Sequence, residues 1–429
     1  MGITTSLYTG ASGLQAHGEG ISVVGDNIAN VSTIGYKSSR AGFDDVLGGT
    51  IPGGSRGGAG VRLGGVQTQF TQGTFLSTGA SLDLAISGSG MFVLKDATGA
   101  ELYSRDGRFQ LDKTGKLVNT DGLSIQGYTI SASGLVAVAP SDLNLGGAQT
   151  PPSATTTVNV SANLNADATA NPGGAAFDMT STTTMAQTSN FATSMTVYDS
   201  LGNDHRVDVY FRKTGTGAWE WHAMIDGAET ASPAATAPER IGTGTLTFDT
   251  SGRLNTETPT GVSVTFTGAA AQTISFDFGD AISGGGTGLT GTTQFSSSFN
   301  VTAIDQNGFA SGSLVDITVD EDGIISGRFS NGQQRDVARL ALATFGSEQG
   351  LRRNGDALFI SSLESGQPLI AAAATGGRGT IASGNLESSN VDIGQELVTL
   401  IAYQRAFSAN AKTVTTADEM LTEITNIKR

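Results

Sequence analysis

The sequence predicts a multidomain, mainly β protein with terminal α-helices, in which an antiparallel pair of N- and C-terminal helices brackets β domains. Three observations predict this fold class. Apolar residues near both ends recur at three- and four-residue steps, which is the spacing of one helix face. Between the ends, short apolar runs are separated by glycine-containing turns. The 60 glycines in 429 residues and a charged fraction of only 15% are typical of turn-rich β structure.

The N-terminal helix is predicted from an apolar seam that consists of Ile3, Leu7, Leu14, Ile21, Val24 and Ile28. Five glycines interrupt the same stretch, namely Gly10, Gly13, Gly18, Gly20 and Gly25. Each glycine costs a helix roughly 1 kcal/mol relative to alanine, whereas burying an aliphatic side chain returns roughly 1.5–3 kcal/mol. We therefore expect this helix to be frayed in an isolated chain and to become ordered on assembly.

A second seam near the C-terminus has the same spacing and consists of Ile393, Leu397, Leu400, Phe407, Val414, Leu421 and Ile424. Asn390 or Asp392 is placed to cap this helix. Seams at both ends of one chain predict a terminal coiled-coil domain of residues 1–34 with 385–429. We expect the two seams to drive self-assembly.

The β structure between the helices is predicted to form two domains. Residues 35–65 include a glycine-rich stretch and are predicted to be a connector. Strand patterns with intervening turns then occupy residues 66–145 and return in residues 294–384, which predicts one discontinuous β middle domain. The intervening residues 146–293 are predicted to be an inserted outer β domain.

Two features of the predicted outer domain carry specific expectations. A Thr-, Ala-, Ser- and Asn-rich tract between about Leu145 and Thr188 is expected to be poorly ordered or to form an outer edge. Trp219 and Trp221 are two residues apart on a predicted strand, so they point to the same side of it. We predict that both tryptophans belong to a core rather than to a subunit contact.

Charge and cysteine content exclude several classes of ligand. The formal net charge of −15 opposes binding to nucleic acid or to anionic lipid. The absence of cysteine excludes disulfides and thiolate metal sites. No basic region with an apolar run and a cleavage site begins the sequence, and no segment has about 18 uninterrupted apolar residues. We therefore expect no membrane insertion, and export, if it occurs, without a cleaved signal peptide.

No pattern in the sequence predicts catalysis, a cofactor or a metal. The three histidines, His17, His205 and His222, lie neither at metal-ligand spacings nor beside a candidate nucleophile. Asp320 and Asp322 with Gly323 resemble part of a calcium loop, but Phe329 stands where a bidentate glutamate is required. A hairpin turn is the better interpretation, and the sequence does not predict an enzyme.

Four motifs resemble those of the axial proteins of the bacterial flagellum, the rod and hook subunits. The first comprises Ala29, Asn30, Thr33, Gly35, Tyr36 and Lys37. The others are the stretches from Leu82 to Phe92 and from Tyr103 to Phe109, and the C-terminal pair Tyr403-Gln404-Arg405-Ala406-Phe407 and Thr415 to Leu421. A further stretch from Thr193 to Asn203 is similar to the outer domain of hook subunits, and rod subunits lack so large an insertion.

The resemblance implies a structural subunit that self-assembles into the flagellar hook, a flexible tube that acts as a universal joint between rod and filament. It also implies a homopolymer that adjoins the distal rod, the hook cap and the hook–filament junction protein, and export through the flagellar type III apparatus to the cell exterior. A distal rod subunit or another flagellar axial protein is the alternative within the family. From a different class, a secreted β-rich adhesin would share the composition but would not need paired terminal seams.

Overall fold

The computed structural model describes residues 3–50, 56–131, 133–174, 176–231 and 237–427, and it is mainly β with helices at both ends. The predicted fold class is therefore confirmed. The described residues divide into two compact units, a first within Met1–Ala148, Leu314–Arg328 and Gln334–Arg429 and a second within Gln149–Ser313 and Phe329–Gln333.

The chain begins in the first unit with one long helix and ten strands. In chain order these elements are α1 Ile3–Ala29, β1 Ser39–Thr50, β2 Arg56–Thr68, β3 Phe75–Ser77, β4 Leu84–Ser87, β5 Met91–Lys95, β6 Glu101–Ser104, β7 Phe109–Leu111, β8 Leu117–Asn119, β9 Ser124–Thr129 and β10 Ser141–Asp142.

The second unit follows and is built on β-sheets. Its elements are β11 Gln149–Thr150, β12 Thr157–Asn163, α2 Thr182–Gln187, β13 Phe191–Tyr198, β14 Asp204–Gly215, β15 Ala218–Ile225, β16 Glu239–Phe248, β17 Leu254–Gly261, β18 Ser263–Thr265, β19 Ala271–Thr273, β20 Ser275–Asp277 and β21 Asn300–Gln306. Strands β13 to β17 form an antiparallel sheet in chain order, and β20, β12 and β21 form a second sheet. Trp219 and Trp221 are 1% and 0% exposed in the core of this unit, so the prediction for both is confirmed.

The remaining elements complete the first unit and end in the longest helix. They are β22 Gly312–Val319, β23 Ile324–Phe329, β24 Gln334–Thr344, β25 Arg352–Gly355, β26 Leu358–Ile360, β27 Leu369–Ala372, β28 Thr380–Ser383, β29 Asn385–Glu387 and α3 Ile393–Ile427. The main sheet of the first unit runs in the order β22-β23-β24-β9-β5-β6-β26-β25. Strands from the two halves of the chain thus interleave, because β24 pairs with both β9 and β5.

The predicted connector at residues 35–65 is corrected by the structure, because β1 and β2 pair as an antiparallel hairpin from Ser39↔Thr68 onward. Residues 51–55 of the connector lie outside the described residues. The glycines permit close packing on α1 rather than looseness. A Cβ on Gly60 would lie 2.1 Å from Oγ of Ser12, and that same hydroxyl accepts a hydrogen bond from Val61 N at 3.3 Å.

Two expectations about the outer domain also differ from the structure. Residues 294–313 fall in the second unit, because β21 pairs with β12, so the expected boundary at 294 lies near 314. The tract before Thr188 contains a strand with a fully buried face, β12, with Val158 and Val160 at 0% and 1% exposure. The separate coiled-coil domain of residues 1–34 with 385–429 remains a prediction.

A repeated turn connects many of the hairpins. In it, the side-chain oxygen of an Asp or Asn accepts hydrogen bonds from the backbone two and four residues later, and a glycine between them has positive φ. Asp112 Oδ1, for example, accepts from Thr114 N and Lys116 N at 2.8 and 2.9 Å, and Gly115 has φ +78°. Asp96, Asn119, Asp199 and Asp249 repeat this pattern. The four aspartates of these turns therefore have a structural role.

Candidate functional site

The candidate site is the pair of terminal helices together with the junction where both enter the β body of the first unit. Helices α1 and α3 are antiparallel, because residues early in α1 meet residues late in α3. An added Cβ on Gly10 would lie 2.8 Å from Val414 Cγ2, and one on Gly13 would lie 2.6 Å from the Asn410 side chain. At the other end, Asn27 Nδ2 donates to Glu396 Oε1 at 3.0 Å.

Gly10 and Gly13 therefore lie in the contact between the helices, whereas helix propensity counts them only as a cost. Gly20 extends the same surface, since its Cβ would lie 3.1 Å from the rings of Phe43 and Tyr403. Small residues let two helix backbones approach closely. The propensity lost at each glycine is offset by packing that a larger residue would prevent.

The predicted seam residues differ in how far the structure buries them. On α1, Val24 is buried, and Leu7, Leu14, Ile21 and Ile28 are half-buried. On α3, Leu400, Val414 and Leu421 are half-buried, whereas the rest are exposed, namely Ile393 (46%), Leu397 (45%), Phe407 (40%) and Ile424 (52%). The side chain of Ile3 lies outside the described residues. Val24 is thus the one fully buried residue among the described seam side chains, and the others keep part of their surface accessible.

Helical geometry explains this partial burial. At 3.6 residues per turn, Leu14 and Ile21 lie about 80° around α1 from the mean direction of the glycines that face α3, and Leu397 lies about 130° around α3 from Tyr403 and Asn410. Because the helices are antiparallel, both rotations lead to the same side of the pair. The pair therefore presents one apolar face, formed by Leu7, Leu14, Ile21 and Ile28 of α1 and by Ile393, Leu397 and Leu400 of α3.

An aromatic cluster fixes the β1–β2 hairpin to both helices. The ring of Phe43 on β1 lies 5.2 Å from that of His17 on α1 and 5.5 Å from that of Tyr403 on α3, the latter edge to face. Aromatic contacts at these separations are favourable. Three elements that are distant in sequence are thereby held at one point.

The motif that follows α1 forms a tight exit from the helix. Asn30 Nδ2 donates to Asp26 O at 2.9 Å, and Thr33 Oγ1 donates to Asn30 Oδ1 at 3.1 Å. Gly35 has φ +70°, and an added Cβ would lie 2.5 Å from Asp106 N. Only glycine fits this position. Ala29, at the end of the helix, is exposed.

Lys37 completes the motif as part of a buried triad of charged side chains with Glu387 and Arg105. Its Nζ lies 2.6 Å from Glu387 Oε1, and Arg105 Nη1 lies 3.2 Å from Glu387 Oε2. Lys37 Nζ also donates to Thr71 O at 2.8 Å. Burial lowers the pKa of Lys37, and the Glu387 carboxylate opposes that shift. The triad ties the segment after α1 to β29, which leads into α3, and to the body of the unit.

Tyr36 and Asn27 tie the end of α1 to the same junction. The Tyr36 hydroxyl contacts Asn27 Oδ1 at 3.3 Å, and the guanidinium of Arg353 lies 4.8 Å from the centre of the Tyr36 ring. Asn27 also bonds both backbone groups of Ser39, accepting from its N at 2.8 Å and donating to its O at 2.7 Å. These contacts fix the angle at which the chain leaves the helix.

Asp392 caps α3, while Asn390 does not. Asp392 Oδ1 accepts from Gly394 N at 2.8 Å and from Gln395 N at 3.2 Å. Asn390 instead accepts from Ser38 N at 2.7 Å and donates to Gln69 O at 2.8 Å. It thus joins the segment before α3 to the segment after α1.

Sequence reasoning missed Glu387, Arg105 and Asn390 as partners of the motif after α1. The position of Glu387 directly after the apolar Leu386 is a weak signal in the sequence, because a carboxylate that is buried needs a partner. Its partners are more than 250 residues away in sequence, so no local pattern could identify them. The parts of the chain that the structure describes contain no grouping of acidic and histidine side chains suited to a metal ion. None of the described helices combines the length and hydrophobicity of a membrane span.

Comparison with known protein families gives four matches in chain order. They are the flagella basal body rod protein family (residues 7–37), the flagellar hook protein FlgE/F/G D1 domain (85–163), the flagellar basal body protein FlaE D2 domain (159–309) and the flagellar basal body rod FlgEFG protein C-terminal family (382–427).

Relatives match from end to end. Flagellar hook protein FlgE of Salmonella typhimurium is 34% identical over 427 residues, which cover 99% of this chain and 100% of that protein. The same protein of Escherichia coli K12 is 35% identical over 97% of this chain and 98% of that protein. Among solved structures, Helicobacter pylori flagellar hook protein FlgE2 is more distant, with 15% identity, a TM-score of 0.45, and coverage of 73% of this chain and 100% of that chain. From the end-to-end relatives, the chain belongs to the flagellar hook protein FlgE family and is a structural subunit of the flagellar hook.

Proposed function

We propose that copies of this chain polymerise through the apolar face of the helix pair, and that this contact forms the inner layer of the hook tube. The observation that supports the proposal is an apolar face that the described residues of the chain cover only in part. Leu397 and Ile393 are 45% and 46% exposed in an otherwise ordered helix. Side chains of this size return roughly 1.5–3 kcal/mol each when buried, so a neighbouring copy gains stability by covering them.

In this proposal, the helix pairs and the second unit have different mechanical roles in the tube. Contacts between helix pairs bury large aliphatic side chains and resist displacement, whereas the second unit offers mainly polar surface that can shift with little change in buried area. The junction built on Lys37, Glu387 and Arg105 would carry torque from the helices to the β body. A tube made in this way can transmit rotation while it bends.

The proposed partners are those that a subunit of the flagellar hook would contact. We infer contacts with the distal rod, the hook cap and the hook–filament junction protein at the ends of the polymer. We also infer export through the flagellar type III apparatus to the cell exterior, without removal of a signal peptide. A role without catalysis or a cofactor agrees with the structural character of the family.

Substitution on the apolar face tests the proposal. Leu397→Asp places a charge on the apolar face, and we expect it to abolish tube formation, seen by electron microscopy, while the β units melt as in the unaltered chain. Thr413→Asp is the matched control, because Thr413 is exposed on the other side of the same helix. Deletion of residues 1–30 should have the same effect as Leu397→Asp. Normal tubes from Leu397→Asp would contradict the proposal.

Full-length matches to hook proteins favour the hook over a distal rod subunit. The match of residues 159–309 to the FlaE D2 domain covers most of the insertion that the rod alternative would lack. A secreted adhesin should stay folded and monomeric after both terminal helices are removed, so deletion of α3 together with residues 1–30 tests that alternative.

A further inference from the structure

The outer two strands of the five-stranded sheet in the second unit carry a ladder of threonines. β16 and β17 pair in the register Thr243↔Thr260, Thr245↔Thr258 and Thr247↔Thr256. Residues directly opposite each other in an antiparallel pair point to the same side of the sheet, so all six side chains share one side. On the other side of β16, Leu246 is fully buried beside Trp219. The side of β16 opposite the threonines therefore packs into the core of the unit.

All six side chains are at least partly accessible, and five of them form what we call the threonine face, namely Thr245, Thr247, Thr256, Thr258 and Thr260. Thr243 lies at its inner end, where its hydroxyl contacts Trp221 O at 3.2 Å and His222 Nδ1 at 3.1 Å.

Hydroxyl groups of the threonine face are hydrogen-bonded to one another. Thr245 Oγ1 and Thr258 Oγ1 are 2.6 Å apart, and Thr247 Oγ1 and Thr256 Oγ1 are also 2.6 Å apart. Covering these pairs with another surface therefore leaves none of their four hydroxyls without a partner, which is the usual cost of burying a polar group. No residue of the face is charged, and the neighbouring Glu220 on β15 is held by Arg212 at 2.6 Å.

The edge of this sheet is not suited to pairing with another strand. β17 is the outermost strand, and it contains Pro259, which lacks a backbone N–H. Proline on an edge strand is a common device against edge-to-edge association. A partner would therefore meet the face of β16 and β17 rather than the edge.

We propose that the threonine face is a contact between the second unit and a neighbouring copy of this chain, and this inference rests on the proposed polymer. Copies with a formal charge of −15 repel one another, so an uncharged face is suited to lie between them. The face is a sheet surface without anionic or cationic groups, which does not suit a nucleic acid or a charged ligand. Because the paired hydroxyls of the face do not have to change partner, the contact can shift as the tube bends.

Cysteine labelling tests the contact directly, since the chain has no cysteine of its own. Thr258→Cys introduces a single thiol, whose reaction with a maleimide is followed in the full chain before and after polymerisation. We expect labelling about tenfold slower or more in the polymer, because thiol reactivity requires access. Thr214→Cys, exposed near the end of β14, two strands from β16, is the control for a general effect of polymerisation on the reagent. Thr260→Cys replaces Thr258→Cys if that variant misfolds.

Equal labelling of the Thr258→Cys variant as monomer and as polymer would overturn this inference and leave the proposed polymer intact. Failure of the unaltered chain to polymerise would instead contradict the proposed function. A second measurement uses the temperature at which the polymer dissociates. Thr258→Glu should lower it by adding repulsion, and the double variant Thr245→Val, Thr258→Val should raise it by adding apolar contact. An unchanged temperature in both variants would also overturn the inference.

Discussion

Lys37 Nζ lies 2.6 Å from Glu387 Oε1, with the two side chains 1% and 0% exposed, although the residues are 350 positions apart in sequence. Glu387 also accepts from Arg105, so one carboxylate is the counter-charge shared by two buried basic side chains. Charges buried in this way are stable only as a complete set, because each was removed from water. The triad therefore makes the junction of the helices with the body sensitive to the loss of its acidic member.

Glu387→Gln should destabilise the first unit by about 3–5 kcal/mol, because it leaves two buried cations without a counter-charge. Lys37→Met should cost less, since Glu387 retains Arg105. Urea unfolding of the monomer measures both. Asp316→Asn is the control, because the Asp316–Arg328 pair is more than half exposed and should contribute about 1 kcal/mol or less. Equal effects of Glu387→Gln and Asp316→Asn would show that the triad has no special role.

Gly13→Ala should weaken the contact between α1 and α3, although alanine is the better helix former. The added Cβ would lie 2.6 Å from the Asn410 side chain, which is closer than two such groups can approach. Gly25→Ala is the matched control, because nothing lies within 4 Å of its Cβ position. It should stabilise α1 by about 1 kcal/mol. Helix content from circular dichroism and the extent of polymerisation, measured together, distinguish the two variants. An increase in both quantities in both variants would contradict the close contact between α1 and α3.

Gly60→Ala should detach the β1–β2 hairpin from α1. Gly60 has φ +111°, and its Cβ would lie 2.1 Å from Ser12 Oγ, so alanine is both strained and obstructed. Gly58→Ala, on the same strand with open space around it, should have little effect. Hydrogen exchange of residues 39–47 reports the difference. If exchange is fast in the unaltered chain and in both variants, the hairpin is a loose connector, as the sequence suggested.

Acid should destabilise the chain through its repeated aspartate turns. A hydrogen bond from the Thr114 side chain holds the pKa of Asp112 below its usual range, and bonds from Thr98 and from Arg253 N do the same for Asp96 and Asp249. A carboxyl whose pKa is lower when folded stabilises the fold above its unfolded pKa of about 4. That stabilisation is lost as the pH falls through the lower, folded pKa.

Replacing these three aspartates with asparagine keeps the acceptor oxygen and removes the titration. Between about pH 4 and pH 2, the melting temperature of the triple variant should fall less than that of the unaltered chain. Asn119 already makes the same turn with an amide oxygen, bonding Asp121 N and Leu123 N at 3.0 and 2.8 Å. Identical acid profiles would mean that these turns do not contribute to the pH dependence.

Periodicity in the sequence was sufficient to predict the terminal helices, the β body between them and the burial of Trp219 and Trp221. These features depend on residues close together in the chain, where helix and strand spacings are direct consequences of backbone geometry. The motifs that indicate the family are also short and local, so they could be recognised in the sequence alone.

Three features were decided only by the tertiary structure. They are the packing role of the glycines in α1, the β-hairpin within residues 39–68, and the acidic residue that pairs with Lys37. Gly13 is a flaw in a helix considered alone and a contact surface once Asn410 lies against it. Glu387 meets Lys37 only in the folded chain, because the two residues are 350 positions apart in sequence. Propensity is a local property that the sequence states directly, whereas close approach and charge pairing depend on partners that folding brings from far along the chain.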